Sequence, residues 1–114
     1  MAGKTAGKIS SRPGKMFGVE KHGNKASIRT SGEMYVENAA ELRETVIELF
    51  EDGVRTLEID LSGLEYIDSS GLGVLVGINK KCRRNGGMLK IGRPKGVVAD
   101  LFTLTKLDLV FDFL

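Results

Sequence analysis

The sequence has little of the material from which catalytic and metal centres are made. It contains one Cys, one His and no Trp among 114 residues. A nucleophilic side chain needs a base that is itself held in place, and His22, the one imidazole, stands in a Gly-Asn turn far along the chain from Asp68 and Ser69. Zinc sites need three or four Cys, His or carboxylate ligands at close spacing, and the sequence shows no Cys/His cluster. The composition therefore predicts neither an enzyme nor a metal-binding or cofactor-binding protein.

Cysteine and long apolar runs are scarce as well. Cys82 has no second cysteine with which to form an internal disulfide, and a free thiol is typical of a reducing compartment. The longest apolar run, 72–78, is far shorter than the roughly 18 to 20 residues that span a bilayer. The basic N-terminus is not followed by the apolar stretch that a signal peptide requires. We therefore expect a cytoplasmic protein without membrane insertion.

An excess of charge of one sign is confined to the N-terminus. Residues 1–15 contain four basic residues and no acidic ones, and they are rich in Gly, Ser and Thr without periodicity, so we expect a disordered basic leader. Of the 17 Lys and Arg residues, 13 lie in the rest of the chain, against 15 Asp and Glu. Residues 16–114 are predicted to form one domain of net charge −2, which gives no reason to expect nucleic acid binding.

Strand-like and helix-like spacing of apolar residues alternate along this domain. Alternating runs on either side of His22-Gly23-Asn24 predict a β-hairpin. Strands that alternate with helices favour parallel pairing, so we predict an α/β fold in which a small mixed sheet, an N-terminal hairpin plus parallel strands, is packed with about three helices. The expected strands are 16–21, 25–31 and 54–61, an extended stretch 64–67 beyond a break at Ser62-Gly63, a strand at 88–91, and a last short strand or packed tail at 107–113.

Three stretches have the spacing of amphipathic helices. The first is expected to begin at Asn38 as N-cap, with Glu41 as its capping-box partner, and to stop at Asp52-Gly53. The second is expected from about Ser70 to Arg84, with a basic last turn that complements the helix dipole. The third follows Pro94. Its buried side is expected to consist of Val97, Val98, Leu101, Phe102 and Leu104.

A polar corner, Ile67-Asp68-Ser69-Ser70-Gly71, separates the third strand from the second helix. Asp and Ser are good N-cap residues, which is sufficient to explain their presence. Capping does not explain why the segment that follows exposes so little polar surface, and Leu72 beside a polar rim suggests a docking patch. The glycines lack the spacing of a dinucleotide or P-loop motif. We interpret Gly73 and Gly77, four residues apart on one helix face, as allowing close approach to the sheet.

The run from Tyr66 to Gly77, Tyr-Ile-Asp-Ser-Ser-Gly-Leu-Gly-Val-Leu-Val-Gly, resembles the signature of STAS domains, specifically of bacterial anti-sigma-factor antagonists. Weaker similarity surrounds it, and the resemblance extends over roughly 17–113. The supporting stretches are Ser31-Gly32-Glu33, Leu57 to Ser62, Gly86-Gly87, and Leu101-Phe102 through Leu107.

The resemblance implies a regulatory binding module. In that family the serine directly after the aspartate, here Ser69, is phosphorylated by a partner anti-sigma factor that is a serine kinase. The unphosphorylated antagonist binds the anti-sigma factor and frees the sigma factor, and a metal-dependent serine phosphatase resets it. Family members often have an acidic residue where Tyr35 stands. The partner-binding residues implied are Asp68, Ser69, Ser70, Gly71, Leu72, Gly73, Glu33 and Tyr35.

Two other functions remain open from the sequence. One keeps the fold without the switch: a STAS scaffold, as in a stressosome component or a subunit of a lipid-transport complex. The other is a small nucleotide-binding protein, for which the sequence offers no phosphate loop. Phosphorylation of Ser69 by a cognate kinase distinguishes the first from the switch, and saturable nucleotide binding would support the second.

Overall fold

A computed structural model describes residues 8–10 and 17–114, and its elements follow one another in the order strand, hairpin, helix, strand, helix, strand, helix. The strands are β1 (Lys8–Ser10), β2 (Phe17–His22), β3 (Lys25–Met34), β4 (Thr56–Ile67) and β5 (Met88–Gly92). The helices are α1 (Val36–Glu51), α2 (Ser69–Arg84), α3 (Gly96–Leu104) and a short 3-10 helix (Leu107–Leu109).

The sheet is mixed, with the strands in the order β1-β2-β3-β4-β5. The pairs β1/β2 and β2/β3 are antiparallel, whereas β3/β4 and β4/β5 are parallel. The parallel pairs arise because α1 and α2 each return the chain to the same end of the sheet. The prediction of a hairpin followed by parallel strands is thereby confirmed.

One side of the sheet carries the hydrophobic core. Leu57, Ile59 and Leu61 alternate along β4 and are fully buried, as are Leu42 of α1 and Leu75 of α2. Burying each such side chain contributes about 1.5 to 3 kcal/mol, so the β4 residues hold both helices against the sheet. The thiol of Cys82 is buried in the same core, and burial raises its pKa to about 11.

Two strands continue where the sequence predicts that they end. β3 runs on through Gly32, which takes φ 78 and shifts the register without ending the strand. β4 runs through Ser62-Gly63 as a β-bulge: Arg29 pairs with Asp60 and Ser31 with Gly63, so two residues of β4 oppose one of β3. The Ser62 N–H donates to Asp60 Oδ1 at 2.9 Å, which closes the bulge.

The strand β1 is a further correction. Residues 1–15 are expected to be disordered, but Lys8–Ser10 pair with β2 along its outer edge. Three residues are too few to show alternation, and main-chain pairing with an open edge needs no side-chain pattern. The remainder of the expected leader, 1–7 and 11–15, lies outside the described residues.

The helix starts differ from the predicted ones by a few residues. Tyr35 is the N-cap of α1, and Asn38 lies three positions later, where its Oδ1 accepts from the Tyr35 N–H at 2.7 Å. Asn38 therefore takes the part in the capping box that the sequence assigns to Glu41. The third helix begins at Gly96, beyond the predicted Pro94.

Of the buried faces expected for α3 and α2, the first is confirmed only in part and the second is wrong. On α3 only Val98 and Phe102 are buried, whereas Val97 and Leu104 are exposed, because nine residues present one narrow stripe to the core. Gly73 and Gly77 are also exposed, and a Cβ on either would meet nothing within 4 Å. They do not allow close approach to the sheet.

The chain end is a packed tail rather than a full strand. After the 3-10 helix, Phe113 makes a single parallel bridge to Ile91, and Phe111 is buried against Phe102. Among the described residues no helix has both the length and the apolar character needed to span a bilayer.

Acid should weaken the bulge of β4. The Ser62 N–H that donates to Asp60 lowers the pKa of this carboxyl, and Arg29 and Lys95 add to the effect. A lowered pKa contributes stability that is present above the unfolded-state value of about 3.9 and lost as pH falls through the folded-state value. We expect Asp60→Asn to be less stable than wild type at neutral pH, with the difference shrinking below about pH 4. Urea unfolding at several pH values measures this, with Asp100→Asn as control; a constant difference would contradict the assignment.

Candidate functional site

The predicted corner lies where the carboxyl ends of β3 and β4 meet the start of α2. The N–H of Asp68 donates to the carbonyl of Met34 at 3.1 Å, which ties the two strand ends together. Asp68 is extended, with φ −95 and ψ −176, and is the N-cap of α2. Its Oδ1 accepts from the Gly71 N–H at 3.0 Å, and its carbonyl accepts from the Leu72 N–H. The N-cap role expected from the sequence is confirmed.

Gly71 is the residue that allows the helix to start so close to the strands. It is buried, and a Cβ added to it would lie 2.5 Å from Ile67 Cγ1 and 3.0 Å from Met34 Sδ. Both neighbours are themselves buried, so neither can move aside freely. The close approach that the sequence assigns to Gly73 and Gly77 is thus made by Gly71.

Ser69 stands at the first position of α2 and is exposed. Its hydroxyl makes no hydrogen bond within the described part of the chain. The N–H groups of Ser69 and Ser70 belong to the first helical turn, where no carbonyl precedes them to accept. This end of α2 therefore favours a negative group through its free N–H donors and the helix dipole.

The other expected site residues differ in how much surface they offer. Gly73 is exposed one turn above Ser69, while Ser70 and Leu72 are half-buried. Leu72 packs against the core, so it is less available for docking than its sequence position suggests. A partner that covers Ser69 would lie over the backbone of the first two turns of α2.

Glu33 and Tyr35 lie beside the corner, at the end of β3. The Tyr35 hydroxyl donates to Glu33 Oε1 at 2.9 Å, and its ring centroid lies 5.8 Å from that of Tyr66. The pKa of Tyr35 is raised, chiefly by its hydrogen bond to Glu33, and Asp68 acts in the same direction. The structure thus brings the predicted residues of β3 and of the corner onto one surface.

Sequence reasoning missed Tyr66 and Val36 as members of this surface. Tyr66 pairs with Glu33 in the β3/β4 register, and that register depends on bulges that the sequence does not reveal. Val36 is 58% exposed at the start of α1. The sequence does contain these apolar and aromatic residues. They indicate a common surface only once the end of β3 and the end of β4 are known to lie side by side.

A cavity of about 360 Å³ lies elsewhere, on the side of the sheet without the core. Its charged lining consists of Glu20, Glu58, Asp60 and Arg29. Three carboxylates against one guanidinium disfavour a phosphate-bearing ligand. Residues 17–114 contain no group of three or more His, Cys, Asp or Glu able to hold a metal ion.

Removing the Asp68 carboxylate should loosen the corner. We expect Asp68→Ala to lower the free energy of unfolding by about 1 kcal/mol, because the Gly71 N–H loses its acceptor. Asp68→Asn retains an acceptor oxygen and should lose clearly less. Urea unfolding of the three proteins measures both effects, and equal losses for Ala and Asn would show that this hydrogen bond is not what stabilises the corner.

Known proteins share this fold and part of this sequence. A family model described as STAS domain matches residues 17–113. The anti-sigma-B factor antagonist of Bacillus subtilis (strain 168) is 36% identical over 94 residues, which are 82% of this chain and 85% of that protein. The crystal structure of an anti-sigma factor antagonist from Mycobacterium paratuberculosis has a TM-score of 0.73 at 27% identity, covering 91% of this chain and 89% of that one.

A more distant likeness extends to SpoIIAA, an anti-sigma factor antagonist. Its unphosphorylated form has a TM-score of 0.71 at 21% identity, covering 86% of each chain. Its phosphorylated form has a TM-score of 0.66 at 22% identity, covering 86% of this chain and 90% of that one. At these identities the likeness is one of fold.

Proposed function

The chain belongs to the STAS domain family, among the anti-sigma factor antagonists, and on that premise we propose that phosphorylation of Ser69 switches its partner binding. Unphosphorylated, it binds an anti-sigma factor with serine-kinase activity and frees the sigma factor. Phosphorylated on Ser69, it releases the anti-sigma factor, and a serine phosphatase resets it. The protein acts by binding, in the cytoplasm, without catalysing a reaction itself.

The observation that carries this proposal is the position of the Ser69 hydroxyl. It is exposed at the first position of α2 and makes no hydrogen bond within the described residues, so a kinase can reach it without unfolding the corner. Asp68, which fixes the helix start, uses its carboxylate on the Gly71 N–H instead. The acceptor and the capping residue are therefore separate, and modification of one leaves the other in place.

The fold should tolerate the phosphate. A phosphoserine adds about −1.5 to −2 charge at neutral pH. At Ser69 this charge meets the free N–H groups and the positive end of the α2 dipole, which offset repulsion from Asp68. The native structure of the modified chain is therefore expected to stay as described.

The interface with the partner should not tolerate the phosphate on Ser69. A partner packed over Ser69 and Gly73 would have to bury the phosphate, and an unpaired buried charge is costly. The surface around Ser69 already carries the acidic residues Asp68 and Glu33. Further negative charge there would strengthen, not weaken, the long-range attraction to a basic partner. Release must therefore come from the local misfit of the phosphate group rather than from overall charge.

A reconstituted transcription assay tests this function. It contains a sigma factor, its anti-sigma factor kinase from the same genome, and this chain. The wild-type chain and Ser69→Ala should both restore sigma-dependent transcription when ATP is replaced by its β,γ-imido analogue, which RNA polymerase can incorporate but the kinase cannot use to phosphorylate serine. With ATP, the wild-type chain should stop restoring transcription as Ser69 is phosphorylated, whereas Ser69→Ala should continue to restore it. If ATP abolishes the restored transcription with both proteins, or with neither, a non-switching scaffold would be favoured.

A further inference from the structure

The surface beside Ser69 is not only acidic but also apolar and aromatic. Tyr35, Val36 and Tyr66, together named the aromatic ridge, are 43%, 58% and 36% exposed. The two rings lie 5.8 Å apart with planes tilted by 41°. Large apolar side chains grouped at the surface often mark an interaction site. The ridge adjoins the proposed docking surface, because Tyr66 is two residues from Asp68 and Tyr35 follows Met34, whose carbonyl binds Asp68.

The ridge is held in place before any partner arrives. The Tyr35 N–H donates to Asn38 Oδ1 at 2.7 Å, and Asn38 Nδ2 donates to the carbonyl of Glu33 at 3.0 Å. The Tyr35 hydroxyl donates to the Glu33 carboxylate at 2.9 Å. These three bonds fix the ring relative to the carboxylate, so little conformational freedom remains to be lost on binding.

The charge around the ridge determines what can cover it. Residues 31–42 and 61–79, which supply the ridge and the corner, contain no Lys or Arg. The same two stretches contain Glu33, Glu37, Glu41, Glu65 and Asp68. A second copy of this surface, a nucleic acid or an anionic membrane would be repelled. The complementary partner surface is basic.

Between the two cationic side chains, arginine matches the ridge better than lysine. A planar guanidinium stacks on an aromatic face and presents several N–H donors in one plane. The Glu33 carboxylate, already oriented by the Tyr35 hydroxyl, can accept from such a fork. A lysine ammonium would gain the charge attraction without the stacking.

We propose that the aromatic ridge receives an arginine side chain of the anti-sigma factor, with the guanidinium against Tyr35 and Tyr66 and donating to Glu33. This inference rests on the proposed function for the identity of the partner, and on the ridge alone for the chemistry. Tyr35 then selects partners, because its ring offers an aromatic face that a stacked guanidinium can use and a lysine ammonium uses less well.

The full chain can be titrated with N-acetyl-arginine amide and followed by NMR. We expect saturable shifts of the Tyr35 and Tyr66 ring signals and of the Glu33 side chain. N-acetyl-citrulline amide, which has nearly the same shape without the charge, should leave these signals in place. Equal shifts with both compounds, or shifts away from the ridge only, would overturn the proposal.

Variants separate the stacking from the charge. Tyr35→Leu keeps apolar bulk but removes the ring, and it should weaken arginine binding about fivefold, the ratio expected for one exposed cation–π contact. Tyr35→Asp, which adds a carboxylate, should not restore it. Leu104→Ala, exposed on α3, is the matched control and should bind as wild type does. Full binding by Tyr35→Leu or stronger binding by Tyr35→Asp contradicts the stacked arrangement.

This titration is independent of Ser69. If Ser69→Asp binds arginine at the ridge as strongly as wild type does and also binds the anti-sigma factor as wild type does, the ridge proposal is supported and the phosphorylation switch is refuted. If instead Ser69→Asp fails to bind the anti-sigma factor and no variant binds arginine, the phosphorylation switch is supported and the ridge proposal is refuted.

Discussion

The Ser69→Asp variant is expected to bind the anti-sigma factor at least about tenfold more weakly than the wild-type chain, the ratio that corresponds to one poorly paired charge in an interface. Its free energy of unfolding should change by less than about 0.5 kcal/mol, since Ser69 is exposed and an acidic residue at a helix N-terminus is favourable. Affinity can be measured by calorimetry and stability by urea unfolding on the same preparations.

Two further variants identify the cause. Ser69→Asn has nearly the volume of Asp without its charge, and Ser69→Ala removes the hydroxyl. We expect Ala to bind as wild type does and Asn to lose less affinity than Asp. If Asn and Asp lose the same affinity, the bulk of the side chain and not the buried charge prevents binding. If Asp binds as wild type does, Ser69 is not within the interface.

Gly71→Ala should cause the largest loss of stability among single-methyl changes in the corner, about 1 to 3 kcal/mol. The new Cβ would lie 2.5 Å from Ile67 Cγ1, against two fully buried side chains that have no free space to enter. The start of α2 would have to move away from the ends of β3 and β4. Partner binding should fall with stability, because this movement displaces Ser69.

The matched control is Gly73→Ala, two residues along the same helix. A Cβ there meets nothing within 4 Å, so the substitution should stabilise the chain by about 0.5 to 1 kcal/mol through helix propensity. Urea unfolding of the two variants should therefore give changes of opposite sign. Equal changes would mean that the contact at Gly71 does not set the position of α2.

Much of the fold could be predicted because local patterns and tertiary packing agree. The hairpin follows from alternation on either side of the turn at Gly23, and α2 follows from the cap at Asp68 and its apolar stripe. The N-cap at Asp68 was predicted from residue type alone. Where a pattern of several residues specifies one buried face, the sequence is sufficient.

The remainder depends on contacts between distant segments. The bulge at Ser62-Gly63 resembles a strand break, because a Gly beside a Ser ends most strands and only the pairing with β3 shows that this one continues. The pairing of Glu33 with Tyr66 follows from that bulge and from a second register shift between Gly32 and Glu33, so the aromatic ridge could not be predicted. Gly71, Gly73 and Gly77 stand in the same glycine-rich run, and the sequence does not tell them apart. Only Gly71 packs against Ile67 in the structure.

The most direct test of the account is to place phosphoserine at position 69 of the full chain by site-specific incorporation and to measure its affinity for the anti-sigma factor and its unfolding curve beside those of the unmodified chain. We expect binding to be lost and the unfolding curve to be unchanged, since the phosphate lies at the open N-terminus of α2. Retained binding by the phosphorylated chain, or loss of binding only through unfolding of the chain, would contradict it.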